Sequence, residues 1–215
     1  MRRVSATLES SVKSRLVFRA ALLAAACALA LAPARAGQKS VPPVSSMLDG
    51  AVTYTLPQGW YVSMYMNRST HGSAEIHHTE KGPPAALFLS AHFVPEGKTV
   101  DNVGDDTFGN SLRKINGGTV LSDKSDGEGW RTVVSTHVPR GQPNLLLEHF
   151  GVVNRKFVDL TASVSLDSGD EKGMKQVVAD FNALCESLKV DGRGSFENKV
   201  STDIITEQLK VNARK

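Results

Sequence analysis

The feature that most constrains the fold is a run of three strand-like segments separated only by short turns. Residues 130–138, 144–153 and 156–165 are rich in β-branched and apolar side chains, and only Asn154-Arg155 separates the last two. A two-residue connection can join antiparallel strands but not parallel ones. These segments therefore predict an antiparallel meander.

Five shorter strand patterns precede the meander. They cover residues 51–56, 60–66, 74–80, 85–94 and 119–124. Pro57-Gln58-Gly59 separates the first two, which predicts a β-hairpin. With the meander this gives eight strands, and pairing neighbours in sequence is the simplest way to connect them.

Two helices are predicted within the domain. Residues 100–116 place Val103, Phe108, Leu112 and Ile115 roughly on one face, and Gly117-Gly118 ends the pattern. The clearest helix comes later and can be capped by Ser168 or Asp170. Its apolar positions keep helical spacing at Met174, Val177, Val178, Phe181, Leu184, Cys185 and Leu188. Strands grouped apart from helices predict an α+β fold, an antiparallel sheet with flanking helices.

The N-terminus resembles an export signal. A basic region precedes 13 uncharged apolar residues, 20–32, and Ala34-Arg35-Ala36 supplies a cleavage pattern. Thirteen residues are too few for a membrane span, which needs about 20. The pattern predicts cleavage near Ala36 and a periplasmic or secreted mature protein without a membrane span. Lipidation at Cys27 and twin-arginine export through Arg2-Arg3 are the alternatives.

Removal of residues 1–36 changes the charge balance. The chain has 25 Lys and Arg against 22 Asp and Glu, and this segment carries six of the former and one of the latter. The remainder has a net charge of −2, so nucleic-acid binding, which rests on phosphate neutralisation, is not indicated. It also contains a single cysteine, Cys185, so an intramolecular disulfide and a cysteine-rich zinc site are excluded.

The domain organisation follows from these patterns. We expect a signal peptide over 1–36, a linker over 37–49 and a single domain over 50–190. The last segment, 191–215, is expected to be a tail that is partly disordered or forms a short helix near residues 203–210.

Several stretches resemble the PsbP-like superfamily, including its DcrB-like bacterial periplasmic members. They are "YTLPQGW" from Tyr54, "TVDNVGDDTFGNSLRKI" from Thr99, "GWRTVVSTHV" from Gly129, "LLLEHFGVVNRKFVDLTASVS" from Leu145 and "DFNALCESLKV" from Asp180. The resemblance covers residues 52–190 and implies an α/β/α sandwich around an antiparallel sheet. It implies a protein that assists, binds or stabilises partners without catalysis. It carries over no functional residue, because the family shares no catalytic set.

The histidines are the only candidate metal ligands. A site would combine residues such as His77, His78, His92 and His137, with Glu75 as another possible ligand. No local metal-binding spacing supports this set, so scattered histidines that are solvated or hydrogen-bonded are the simpler interpretation. Serine-hydrolase, phosphate-loop and EF-hand motifs are absent, and no cofactor is predicted.

Trp60 and Tyr61 are the candidate partner contacts, and they follow the turn at Pro57-Gln58-Gly59. Trp60 shares a strand face with Val62, so it is expected either to pack in the core or to be a recognition aromatic.

The sequence therefore predicts an exported, non-enzymatic accessory or binding protein with a periplasmic or envelope protein as its partner. Two alternatives remain at this point: an immunity or inhibitor protein against a secreted effector, and a histidine-based metal carrier. The oligomeric state stays open.

Overall fold

A seven-stranded antiparallel sheet organises the molecule. The computed structural model describes residues 44–78 and 85–213, which belong to one compact unit. The strands are β1 (Val44–Met47), β2 (Val52–Thr55), β3 (Trp60–Asn67), β4 (His71–His78), β5 (Ala85–Phe93), β6 (Gly118–Asp126), β7 (Trp130–His137), β8 (Asn144–Val153), β9 (Lys156–Ser165) and β10 (Lys189–Val190). The helices are α1 (Val100–Val103), α2 (Phe108–Asn116), α3 (Glu171–Ser187) and α4 (Asp203–Asn212), with 3-10 turns at Gly104–Asp106 and Pro139–Gly141.

The strand order of the large sheet is β3-β4-β5-β9-β8-β7-β6, and every pair is antiparallel. The predicted meander is confirmed, and β8 and β9 have the predicted bounds. Helices flank the sheet, so the predicted α+β class is also confirmed. The predicted signal peptide, Cys27 and residues 79–80 lie outside the described residues.

The predicted hairpin across Pro57-Gln58-Gly59 is wrong. β2 pairs with β1 and β10 in a separate three-stranded sheet, whereas β3 pairs with β4 in the large sheet. The turn, with Gly59 at φ 87°, is therefore a corner between two sheets. The Pro57-Gln58-Gly59 turn is compatible both with a hairpin and with a corner between two sheets. The long-range pairing of β2 decides which of the two forms.

The first strand also corrects the predicted linker. Residues 44–47 form β1, and Met47 is fully buried against the core. The burial of Met47 shows that this short segment packs against the core. The polar, proline-containing sequence around it gives no signal of this packing.

One side of the large sheet, here called the packed face, carries the main core. Leu89, Leu147 and Leu160 lie on this face and share an apolar cluster with Phe181 of α3 and Ile205 of α4. The predicted α3 is confirmed. Its start is capped as expected, because the Asp170 side chain accepts a hydrogen bond from the Gly173 amide at 2.9 Å.

The other side, here called the polar face, is covered only in part. α1 adds a small apolar cluster with Val103, Val133 and Phe150. The single predicted helix over 100–116 is interrupted by a 3-10 turn and Thr107, and its expected apolar face is wrong for α2, since Ile115 and Phe108 are exposed. α2 instead presents Gly109 and Arg113 to the sheet, because the strands beneath it carry charged side chains.

The C-terminal segment is an ordered part of the fold. The short helix expected near residues 203–210 is present as α4. Phe196 packs on the core, and the Asn182 side chain exchanges two hydrogen bonds with the backbone of Val200.

Candidate functional site

Among the described helices, only the start of α2 reaches the half of the polar face formed by β3, β4 and β5, through Phe108. Three large side chains of β3 project from this half: Tyr61 is 46% exposed, Met64 67% and Met66 41%. β3 contains no charged residue. Large exposed apolar patches of this kind mark interaction sites more often than scattered single residues do.

Aromatic side chains of two other elements extend this region. Met64 lies opposite Glu75 of β4, and Glu75 lies opposite Phe88 of β5. The Phe88 ring packs against the ring of Phe108 at the start of α2 in a tilted arrangement, with a centroid distance of 4.8 Å. We call the group formed by Tyr61, Met64, Met66, Phe88 and Phe108 the aromatic–methionine surface.

Two polar side chains lie within this surface, because Glu75 separates Met64 from Phe88 in the sheet and pairs with His77. The His77 ring nitrogen Nε2 lies 2.8 Å from Glu75 Oε1, and the ring of Tyr61 is tilted over His77 at 6.3 Å. A cleft of about 300 Å³ opens beside Phe88 and Phe108, with Thr161 on its wall. Apolar and aromatic contact area that includes a few polar groups is common in protein-binding patches.

A buried charged cluster lies under α2, next to this cleft. Glu148 forms an ion pair with Arg113, and its carboxylate occupies the space that a side chain at position 109 would need. Asp159 Oδ2 accepts a hydrogen bond from the Phe108 amide at 2.7 Å, and its Oδ1 accepts one from Thr161. Burial raises the pKa of Asp159 to about 7, against the lowering effect of the Phe108 hydrogen bond. The cluster fixes the start of α2, and with it the position of Phe108.

A second polar cluster is buried in the packed face. Thr132 Oγ1 lies 2.7 Å from Asp126 Oδ2 and 3.1 Å from His149 Nδ1, and the His149 ring stacks on Trp130. Burial lowers the pKa of His149 to about 4, although the carboxylate of Asp126 opposes the shift. Asn198 also bonds to Asp126, so this cluster ties the C-terminal segment to the sheet.

The histidines proposed as metal ligands occupy separate places. His78 contacts Trp60, His92 contacts Phe157, and His137 lies between Asn116 and Ser163. His137 and His149 are on adjacent strands but on opposite faces of the sheet. Within residues 44–78 and 85–213, no three metal-ligating side chains come together.

The two aromatic residues proposed as partner contacts have different environments. Trp60 is only 6% exposed and its Nε1 donates a hydrogen bond to Asp180 of α3 at 2.8 Å. The core interpretation of Trp60 therefore applies, and Tyr61 alone of the pair offers its side chain to a partner. Cys185 is buried, as the sequence suggested, and burial raises the pKa of its thiol.

Sequence reasoning missed the methionines and the buried acids. The absence of charge from Trp60 to Asn67 was a readable signal, since a solvated edge strand usually carries charged residues. The single acids Glu148 and Asp159, each within an otherwise apolar strand, were a second signal.

Comparisons with known proteins give little beyond the fold. No family model matches the chain, and no curated protein matches it. Seventeen chains of solved structures match, among them LpqN of Mycobacterium tuberculosis, described as involved in cell envelope biogenesis. Its TM-score is 0.44 and its identity 14%, over 65% of this chain and 82% of LpqN, so no family or role is transferred from it.

None of the helices in the described parts of the chain is long and apolar enough to cross a membrane.

Proposed function

We propose that this chain is an exported accessory protein that binds a protein partner through the aromatic–methionine surface and has no catalytic activity of its own. The observation that carries the proposal is the exposure of Tyr61, Met64 and Met66 on an uncharged strand. The export pattern over residues 1–36 and the resemblance to PsbP-like proteins support the location and the non-catalytic role.

The side-chain chemistry favours a protein over a small polar ligand. Tyrosine offers contact area together with a hydroxyl group, and it is enriched among the residues that dominate binding energy. Methionine is flexible and polarizable, so it adapts to partner side chains of different shape. The carboxylate–imidazole pair of Glu75 and His77 lies between the side chains of β3 and Phe88 and supplies polar contacts within this apolar area.

Site-specific photo-crosslinking in the native cell tests the proposal. A benzophenone amino acid is placed at Tyr61 or Met64, and at Ile115 as the matched control. Ile115 is 79% exposed and precedes Asn116, whose side chain contacts His137 of β7, far from β3 in the strand order. We expect one discrete adduct from positions 61 and 64 and none from 115. An identical adduct pattern at all three positions, or no adduct at any, would contradict the proposal.

The identity of the crosslinked partner distinguishes between the accessory role and the immunity or inhibitor role, both of which the sequence leaves open. An envelope component supports an accessory role, whereas a secreted effector supports an immunity or inhibitor role. With the purified partner, Tyr61→Ala or Met64→Ala is expected to weaken binding at least about tenfold, and Ile115→Ala to leave it unchanged. Turnover of a substrate by the purified protein would contradict the non-catalytic part of the proposal.

A further inference from the structure

β3 is one edge of the large sheet, and its backbone is unpaired on one side. Among the described residues β4 is the only strand that pairs with β3. An edge strand offers a row of N–H and C=O groups that another strand can use. The aromatic–methionine surface is made of side chains, so this backbone edge is a separate binding feature.

The opposite edge of the sheet is protected in the usual way. β6 carries Asp123, Lys124 and Asp126, and Asp123 receives two hydrogen bonds from Arg131 at 2.6 and 2.7 Å. Such charges oppose the addition of another strand. β3 has no charge over eight residues and keeps only a bulge between Val62 and Met64 as protection.

The chain just before β1 is poorly suited to fill this edge. Pro42 and Pro43 directly precede β1 and have no backbone N–H to donate to a ladder. A neutral strand from outside the molecule is the occupant that the edge fits.

The bulge does not prevent β3 from pairing with itself, and it permits a register centred between two residues, which a regular strand could not adopt. In a two-fold antiparallel pair centred between Ser63 and Met64, Tyr61 lies opposite Met66 of the second copy, and Val62 lies opposite Tyr65. Opposed residues must point to the same face of the sheet. The register with β4 shows that Tyr61 and Met66 both project from the polar face and that Val62 and Tyr65 both project from the packed face. Without the extra residue, alternation would put each pair on opposite faces.

We propose that β3 pairs with β3 of a second copy of this chain, so that two sheets join into one of fourteen strands. No charged residue of β3 opposes the pairing, because the strand contains none. The two aromatic–methionine surfaces then become continuous across the two-fold axis. The dimer forms through the β3 backbone and does not require the protein partner of the aromatic–methionine surface. The dimer proposal and the partner proposal can therefore fail independently.

The oligomeric state measured over a range of protein concentrations tests this pairing. Light scattering after size exclusion and sedimentation velocity are expected to show a dimer that dissociates on dilution. Ser63 is exposed, is no part of the aromatic–methionine surface and lies next to the two-fold axis. Ser63→Lys brings two like charges together there, so we expect its dimer to dissociate at least about tenfold more readily. Leu121→Lys is the matched control, because Leu121 is exposed on the other edge, and it should leave the dimer unchanged.

Amide hydrogen exchange supplies a readout of the backbone itself. Exchange in residues 61–66 should slow as protein concentration rises, while exchange in residues 119–125 of β6 should not change. A monomer at every concentration would overturn the pairing, as would a dimer that Ser63→Lys leaves intact or slow exchange in β3 that is independent of concentration. If Ser63→Lys is monomeric and still yields the crosslink at Met64, the partner proposal holds without the dimer.

Discussion

The two faces of the large sheet differ in what their side chains do. On the packed face Leu89, Leu147 and Leu160 join an apolar core with α3 and α4, and one polar cluster is buried there with the C-terminal segment over it. On the polar face, buried charges hold a short helix, and within the described parts of the chain the side chains of Tyr61, Met64 and Met66 on β3 stay exposed. The packed face therefore supplies most of the stability, and the polar face supplies the surface available for binding.

The largest difference between the faces should appear when a phenylalanine is removed from each. Phe181→Ala on α3 leaves a cavity in the packed core and should lower the free energy of unfolding by ~4 kcal/mol. Phe108→Ala removes an exposed ring and should change it by less than ~1 kcal/mol. Urea denaturation measures both, and equal losses would contradict the division between the faces.

The adjacent pair Trp60 and Tyr61 repeats this test within one strand. Trp60→Ala should cost ~3 kcal/mol, because a buried ring and its hydrogen bond to Asp180 are lost together. Tyr61→Ala should stay within ~0.5 kcal/mol of the parent protein in the same assay. A stable Trp60→Ala variant that fails to bind the partner would show that Trp60 is a recognition residue after all.

The buried acid of the polar face should make stability fall as pH rises. The pKa of Asp159 is about 7 in the folded state, against its usual 3.8. The folded state therefore binds more protons than the unfolded state between these values, and the stabilisation present below about pH 4 is lost by about pH 7. Asp159→Asn keeps an acceptor for the Phe108 amide but does not titrate. Its free energy of unfolding relative to the parent should therefore be higher at pH 8 than at pH 4, by up to ~4 kcal/mol. A difference that does not vary with pH in denaturation experiments would contradict a raised pKa.

The buried histidine of the packed face should act in the opposite direction. The pKa of His149 is about 4 in the folded state, against its usual 6.5, so the unfolded state binds more protons between these values. The free energy of unfolding should fall by up to ~3 kcal/mol as pH drops through this window. His149→Phe keeps a ring against Trp130 and should flatten this part of the curve. An unchanged slope in the variant would show that another group causes the acid sensitivity.

The parts of the fold that could be read from the sequence are those whose signal is local. β8 and β9 have their predicted bounds because a two-residue turn joins two apolar runs, and α3 shows an uninterrupted apolar stripe. The hairpin prediction failed because the turn before Trp60 does not specify which strand β2 will pair with. That choice depends on Lys189 and Val190, which lie more than one hundred residues away.

The candidate site was only partly readable for a related reason. Tyr61 could be identified as a possible contact, but its separation from Trp60 required knowledge of which side of β3 faces α3. The apolar stripe expected on α2 was wrong because its partner surface contains Glu148 and Asp159. The character of a helix face depends on the strands beneath it, and a single chain read in order does not reveal which strands those are.

The pairing of β2 with β10 has a consequence for how this chain matures. β2 occupies the middle of the three-stranded sheet, yet one of its neighbours is complete only when Val190 has been synthesised. Contacts between residues so distant in sequence form late and slow the overall folding reaction. A nascent chain that has not yet reached Val190 lacks one of the two strands that flank β2, so the three-stranded sheet can be completed only late in synthesis.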